Sequence, residues 1–327
     1  MQIALLLVSA ASAEDRMVVV GANVLRVSQD NSLTCVLRLN SVESDLRFGS
    51  TAPRVSPDQH WIAYVKHRDV WLRSARSGRS TRLTKTGKGA TNQYFSIEAF
   101  LVGFTTDSKQ LIYSVAPGKD ECPDCKRSEI VERRADYGFF VYDLRSHRPR
   151  RLQVPESTRI SGVVSGNRFV AAKVGDYGDQ LGLLELPSQS FHPFPSSCAS
   201  ADGCRLTTDG HLATCTQIGN DHSQVVECET QSEQECNVSP LGDCINEFQQ
   251  PSRSPAATHL AYFQIPDKCR GPNRVLWVDQ KPVFQCFNAH EYTYGWIDDN
   301  RLLVECEQEF VVVDIEGSNL GSIRMRP

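Results

Sequence analysis

VSPDQHWIAYV, at Val55–Val65, is the clearest copy of a pattern that returns along the chain. The turn-forming pair Pro57-Asp58 precedes Trp61–Val65, a run rich in aromatic and aliphatic residues. Such a run predicts a β-strand, and Pro and Asp predict the turn before it. The weaker copies of the pattern start at Thr105, Thr207, Ser254 and Ile297. Their spacing of about 45 residues indicates a repeat architecture.

Each repeat is predicted to contain several short strands. In the second unit these are Ser50–Val55, Trp61–Val65, Val70–Arg73 and Ser80–Leu83. Four-stranded units at this period are typical of a β-propeller. We therefore predict an all-β fold, a single β-propeller of roughly seven blades with about four antiparallel strands each. Rings of roughly six or eight blades stay open as alternatives, because the units between 155 and 245 match the pattern poorly.

Two units depart from the regular pattern. The first, at 15–46, contains the predicted strands Met17–Val20, Val24–Val27 and Leu33–Leu39 and lacks a predicted inner strand. The third is lengthened by an insertion at 117–136 between its second and third strands. The expected organisation is one propeller domain over 14–327 that carries this inserted loop.

Several motifs resemble a known repeat family. Ser56–Tyr64, Asp69-Val70-Trp71 and Thr81–Thr84 resemble the PD40 repeat, which is also called TolB-type or WD40-like. Phe140–Leu144, followed by Arg150-Arg151-Leu152, resembles the second half of that repeat. The resemblance implies a propeller fold. A function must still be argued from individual sites, since one fold serves many functions.

The N-terminus is predicted to be an export signal. Ile3–Val8 is apolar, Ser9–Ala13 is built of small residues, and Ala11-Ser12-Ala13 fits the cleavage pattern, so 1–13 is the expected signal peptide. Ile3–Val8 as a simple first strand is the alternative. No later stretch is predicted to span a membrane. The expected location is periplasmic or secreted.

The cysteines also favour export. The chain has 12, and an even number in an exported chain favours disulfides. The disulfide candidates are Cys122, Cys125, Cys198, Cys204, Cys215, Cys228, Cys236, Cys244, Cys269 and Cys286. Cys215 with Cys228 and Cys269 with Cys286 are possible pairs, but the connectivity stays open. Cys35 and Cys306 are left over, and a bridge between them would lock the first unit to the last.

The insertion carries the sharpest local motif, Cys122-Pro123-Asp124-Cys125. A small disulfide that pins the loop is the first interpretation, and half of a zinc site or a redox dithiol are the alternatives. The predicted binding residues beside it are Lys126, Arg127, Arg133 and Arg134. In a four-stranded blade this loop emerges at the same end of the ring as the connections between blades. Binding sites are drawn from such loops on a rigid scaffold.

The sequence contains few motifs for catalysis or for binding phosphate, nucleic acid or metal. The chain lacks a G-x-S-x-G nucleophile motif and Gly-rich phosphate loops. It has 35 basic and 39 acidic residues, which argues against a general nucleic-acid binder. Its eight histidines form no metal-binding motif, and we expect no cofactor. The recurring aspartates are interpreted as turn-forming residues: Asp58, Asp107, Asp209 and Asp298.

The predicted function is that of an exported, monomeric, non-catalytic binding or scaffold protein of TolB-like type. It is expected to recognise a protein or a cell-envelope component through its loop-rich face. The alternative is a metal-assisted propeller enzyme, such as a lyase, a lactonase or a glycoside-active enzyme, with its site at the central channel. That alternative requires His, Asp or Glu side chains from different blades to converge at the channel mouth.

Overall fold

The structure of the 327-residue chain is a computed structural model. It describes residues 15–39, 52–85, 97–117, 138–175, 178–194, 202–206, 212–218, 223–229, 237–242, 251–264, 273–287, 292–307 and 309–324. Within these ranges all regular secondary structure is β-strand. The described strands form seven antiparallel sheets, one with three strands and six with four.

The strands follow the chain sheet by sheet, and each is paired with its sequence neighbour. The first sheet contains β1 (Arg16–Val20), β2 (Asn23–Val27) and β3 (Leu33–Arg38). The second contains β4 (Arg54–Val55), β5 (Trp61–Lys66), β6 (Asp69–Ser74) and β7 (Ser80–Arg82). The third contains β8 (Ile97–Phe104), β9 (Gln110–Pro117), β10 (Gly138–Asp143) and β11 (Arg148–Leu152). The fourth and fifth are built from β12 (Thr158–Val163), β13 (Arg168–Gly175), β14 (Gly178–Glu185) and β15 (Ser190–Pro193); β16 (Asp202–Leu206), β17 (Leu212–Ile218), β18 (Ser223–Glu229) and β19 (Asn237–Gly242). The last two are built from β20 (Ser252–Arg253), β21 (Leu260–Gln264), β22 (Arg274–Val278) and β23 (Lys281–Cys286); β24 (Tyr292–Trp296), β25 (Arg301–Cys306), β26 (Glu309–Asp314) and β27 (Asn319–Arg324).

The second strand of a sheet is buried on both faces. In β5, Ile62 and Ala63 are fully buried although they point to opposite sides of the sheet. A strand with neighbours on both faces is an unbroken apolar run rather than an alternating one. The apolar run Trp61–Val65 of the repeat therefore corresponds to sheets that stack face to face.

Each pair of consecutive sheets shares a hydrophobic cluster. Ala63 and Leu72 of the second sheet pack with Leu111 and Tyr113 of the third, and similar clusters join every later pair. The last and first sheets share a cluster that includes Val20 and the residues of β25 and β26. The first and second sheets share another. The described sheets therefore follow one another around a closed ring.

The ring closes where β1 meets β24. A Cβ atom on Gly295 would lie 2.5 Å from the Val19 carbonyl oxygen, and one on Gly21 would lie 3.2 Å from Thr293 Cγ2. The two strands therefore run in opposite directions. The first strand of the other sheets has the direction of β24, so β1 has that of a second strand. The predicted lack of an inner strand in the first unit stays a prediction, because residues 1–14 and 40–51 lie outside the described residues.

Hydrogen bonds between turns define one end of the ring, here named the turn face. It carries the turns between the first and second strands, such as those at 56–60 and 105–109. The Asp58 backbone N–H donates to Ser108 Oγ at 3.0 Å, and the Ala256 N–H donates to Asp299 Oδ1 at 2.7 Å. Further bonds of this kind join Met17 to Gln59, Thr106 to Val164 and Arg301 to Asn31.

The predicted turn role of the aspartates is visible in these turns. Asp107 Oδ1 accepts the Thr105 hydroxyl at 2.6 Å and the Lys109 N–H at 3.1 Å. Asp58 Oδ1 accepts the Ser56 hydroxyl and the His60 N–H in the same way. Asp298 accepts the Asn300 N–H. Asp209 lies outside the described residues. The recurring carboxylates therefore hold the turns.

The predicted all-β fold is confirmed, and the three strands predicted in the first unit are observed as β1, β2 and β3. The number of blades in the complete ring stays a prediction. The signal peptide at 1–13 and the inserted loop at 117–136 fall on residues that the structure does not describe, apart from Pro117 at the end of β9. The organisation over 14–327 therefore also stays a prediction.

Candidate functional site

The end of the ring opposite the turn face is here named the insertion face. β9 ends on it at Pro117 and β10 begins on it at Gly138. Gly138 pairs with Val115, so the two strands form a regular ladder up to the point where the inserted loop leaves the sheet. The second-to-third-strand turns and the connections between sheets lie at this end. The topology therefore places the ends of β9 and β10, which flank the predicted insertion, at this end of the ring.

Basic side chains line the insertion face along the first four sheets. Arg38 ends β3, Lys85 follows β7, and Lys173 lies near the end of β13, and all three are exposed. The others are the exposed Arg151 and the half-buried Lys66 and Arg68. This set of six residues is here named the basic arc. Each member lies at a strand end on this face, so the antiparallel topology brings together residues that are far apart in sequence.

The described residues along the same arc also include carboxylates. Asp69 is buried and ion-paired with Arg82. Thr84 Oγ1 donates to Asp69 Oδ1 at 2.9 Å and accepts the Val70 N–H at 3.0 Å. Asp69 therefore closes the β6–β7 hairpin and adds little negative charge to the surface. Three more carboxylates of the described residues lie at this end: Glu98 and Asp179, near the starts of β8 and β14, and the exposed Glu156, which follows β11.

The predicted binding residues Lys126, Arg127, Arg133 and Arg134 lie outside the described residues. The structure brings none of them to a described partner, and their role stays a prediction. The sequence reasoning missed the basic arc, because its members are spread over 136 positions from Arg38 to Lys173. The available signal was their shared position at strand ends on one side of the ring.

The predicted cysteine pairs are only partly visible. Cys122, Cys125, Cys198, Cys236, Cys244 and Cys269 lie outside the described residues. Cys228 is buried and disulfide-bonded. The backbone register sets Cys215 opposite Val226 and Cys204, and sets Cys228 opposite Ala213. Cys215 and Cys228 are therefore diagonal neighbours on adjacent strands rather than directly opposite each other, and their pairing stays a prediction.

Cys286 also differs from its prediction as a disulfide candidate. It is a buried free thiol at the end of β23. Cys35 and Cys306 are free as well, so the bridge that would lock the first unit to the last is absent between these two described residues. Cys35 is exposed on β3, the outermost strand of its sheet, whereas β1 makes the contact with β24. The closure contact therefore forms away from Cys35.

The described histidines take part in local contacts. His259 Nδ1 lies 2.5 Å from Asp279 Oδ2, and His147 Nδ1 lies 3.3 Å from the Tyr142 hydroxyl. In the described part of the chain, no three His, Cys, Asp or Glu side chains are grouped so that they could hold a metal ion. Within the same residues, no helix has the length and apolar character needed to cross a membrane.

Two of the tryptophans make contacts within a sheet or between sheets. Trp71 stacks on Tyr64 with ring centroids 6.4 Å apart, and its Nε1–H donates to the Lys66 carbonyl. Trp296 Nε1–H donates to the Ser252 carbonyl at 3.1 Å, which joins the last two sheets. These rings therefore stabilise the ring of sheets rather than present a stacking platform to a ligand.

Comparison with known proteins supports the fold. Residues 37–97 match the family model described as the dipeptidyl peptidase IV N-terminal region. TolB from Acinetobacter baumannii is 15% identical with a TM-score of 0.51, over 82% of this chain and 62% of that protein. This chain therefore spans less than two thirds of that TolB. No curated protein matches the chain.

Two further solved structures cover nearly the whole chain. The putative TolB from Agrobacterium tumefaciens is 12% identical with a TM-score of 0.50, over 95% of this chain and 90% of that one. The β-propeller domain of the Trilobed protease from Pyrococcus furiosus is 12% identical with a TM-score of 0.52, over 95% and 94%. The chain is a β-propeller. At these identities the likeness shows the fold alone, and it confirms the propeller implied by the PD40 resemblance.

Proposed function

We propose that this β-propeller is an exported, non-catalytic binding protein that recognises the acidic surface of a protein partner through its insertion face. The observation that carries the proposal is the basic arc, which lies on the same face as the start of the inserted loop. The predicted cluster Lys126, Arg127, Arg133 and Arg134 belongs to that loop. The loop 118–137 also contains six acidic residues beside five basic ones, so the proposed basic patch consists of these four side chains and the basic arc, on a molecule whose formal net charge is -4.

Electrostatics explains why such a patch selects a partner. Long basic side chains at a surface raise the association rate of an acidic partner and reject basic ones. A partner protein is favoured over a small molecule because the basic arc crosses four sheets rather than lining one pocket. The TolB neighbours are consistent with a binding role. A negatively charged cell-envelope component could bind the same face, and the experiment below distinguishes it from a protein partner.

The proposal is tested by affinity capture from envelope and culture fractions with three forms of the chain. These are the intact protein, a variant that lacks 118–135, and a variant in which Arg38, Lys85, Arg151 and Lys173 are replaced by Glu. The control replaces Arg145, Arg148 and Arg150 by Glu, since these exposed arginines lie at the turn-face end of β10 and β11.

The expected result is one protein that the intact chain and the control capture and that the two insertion-face variants lose. Its affinity should fall as salt is raised, because exposed charge pairs are screened. Capture of lipid or polysaccharide without a protein would move the proposal to an envelope component. Equal capture by all forms would overturn it.

Export is tested by the mass of the mature chain, which should start at Glu14.

A further inference from the structure

Two free thiols from consecutive sheets meet at the insertion face. Cys286 is the last residue of β23, the outermost strand of the sixth sheet, and Cys306 is the last residue of β25 in the seventh. Both belong to the hydrophobic cluster between these sheets, where Cys286 is fully buried and Cys306 is partly buried. Their side chains are hydrogen-bonded to each other. Strands β23 and β26 are also in contact.

We propose that Cys286 and Cys306 are a thiol pair that a disulfide-bearing oxidant converts into a disulfide between the sixth and seventh sheets. The two side chains already lie together in the hydrophobic cluster between these sheets. The bridge would tie an outer strand of one sheet to the second strand of the next. It would therefore add a covalent link to a seam that otherwise rests on face-to-face packing and hydrogen bonds.

The surroundings of the two thiols lower the pKa of one and raise the pKa of the other. The hydrogen bond from Cys286 lowers the pKa of the Cys306 thiol, with support from the Phe287 N–H, against the effects of burial and of Glu307 and Glu309. The same hydrogen bond and burial raise the pKa of Cys286. The thiolate is the nucleophile in thiol–disulfide exchange. Cys306, which is also the more exposed, is therefore the attacking sulfur, and Cys286 is the resolving one.

The reaction balances with a small-molecule disulfide such as oxidised glutathione. The Cys306 thiolate attacks one sulfur of the oxidant and releases one glutathione thiolate. Cys286 then loses its proton to the buffer and attacks the Cys306 sulfur, which releases the second glutathione. The protein loses two electrons and gains one S–S bond, while the oxidant is reduced to two thiols.

The test is a non-reducing peptide map of the purified chain after equilibration in glutathione buffers of increasing oxidised fraction. Peptides that contain Cys286 and Cys306 should become cross-linked to each other, and reduction should release them. Cys35 on β3 is the internal control, because it is an exposed free thiol and should instead stay reduced or carry glutathione. The oxidised chain should unfold several degrees higher than the reduced one.

A variant separates a specific bridge from general oxidation. Cys306→Ser should remove the cross-link and the thermal shift, and should leave Cys286 reduced because its burial protects it from the oxidant. Cys35→Ser should leave both intact. A cross-link from Cys286 to Cys269 would overturn the proposal, and so would Cys286 and Cys306 that both stay reduced in the most oxidising buffer. The peptide map of the unmutated chain shows whether the cross-link between Cys286 and Cys306 forms, so the test holds even where a variant fails to fold.

Discussion

One buried ion pair joins the fifth and sixth sheets. Arg253 donates to Glu227 from Nε at 2.6 Å and from Nη2 at 2.5 Å, and Thr214 lies 3.5 Å from the same carboxylate. The pKa of Arg253 is raised by this hydrogen bond, while burial acts against the rise. Two parallel bonds between a guanidinium and a carboxylate are among the stronger polar contacts in proteins. The pair therefore fixes how the two sheets meet.

Glu227→Gln should weaken the fold, because it leaves the Arg253 charge half-buried without its counter-charge. The expected loss is about 2 kcal/mol in the free energy of unfolding, measured by urea denaturation. Glu309→Gln is the control, since its contact with Arg324 is at 3.8 Å and largely exposed. Equal midpoints for Glu227→Gln and the unmutated chain would show that the pair contributes no net stability.

At the scale of an element, the turns of the turn face predict acid sensitivity. The Thr105 hydroxyl and the Lys109 N–H lower the pKa of Asp107, with burial acting against them. A carboxyl whose pKa is lower in the folded state stabilises the fold above its ordinary pKa, and loses that contribution as the pH falls toward the folded value. Asp107→Asn should therefore flatten the decline in stability below about pH 4.

The measurement is the urea midpoint of the unmutated chain and of Asp107→Asn between neutral and acidic pH. Glu156→Gln is the control, because Glu156 is exposed on the opposite end of the ring and holds no turn of the turn face. The two midpoints should differ at neutral pH and approach each other in acid. A constant difference at every pH would contradict the proposed role of the carboxylate.

The insertion is predicted to be dispensable for the fold. Val115 pairs with Gly138, so β9 and β10 form their ladder without help from the loop. Replacing 116–137 with Asn-Gly joins the paired Val115 and Gly138 by a two-residue hairpin turn, and should leave the thermal midpoint within a few degrees. A variant with the same deletion joined by Pro-Pro should fold less well, since proline does not fit that turn. A large loss of stability in the Asn-Gly variant would show that the loop is structural.

The elements also show what the sequence was able to predict. Most strands of the first two units were predicted closely, because turn residues and apolar runs mark them locally: Trp61–Val65 is observed within β5, Trp61–Lys66, whereas only Arg54–Val55 of the predicted Ser50–Val55 is a described strand. The basic arc and the contact between Cys286 and Cys306 were not predicted. Both depend on which strands end at the same face of the ring. A sequence pattern does not give the distance in space between residues on separate strands.

At the scale of the whole molecule, closure of the ring decides stability. Every described sheet has a neighbour on each face, and no sheet acts as a solvent-facing cap of the kind that open repeat arrays need. Opening one seam would therefore expose two apolar faces at once. The seam between β24 and β1 is the most constrained point, since the first and last parts of the chain meet there.

Gly295→Ala tests this seam. The added methyl group would lie 2.5 Å from the Val19 carbonyl oxygen and 2.8 Å from Val18 Cγ1, and a backbone oxygen has little freedom to move away. We expect a loss of about 2 kcal/mol in the free energy of unfolding. Gly166→Ala is the matched control, because its methyl group would meet only the flexible Gln110 side chain at 3.4 Å. Since the sheets support one another around the ring, near-ultraviolet circular dichroism should report one cooperative transition at a lower midpoint. An early separate transition in Gly295→Ala would show instead that the last sheet unfolds independently of the ring.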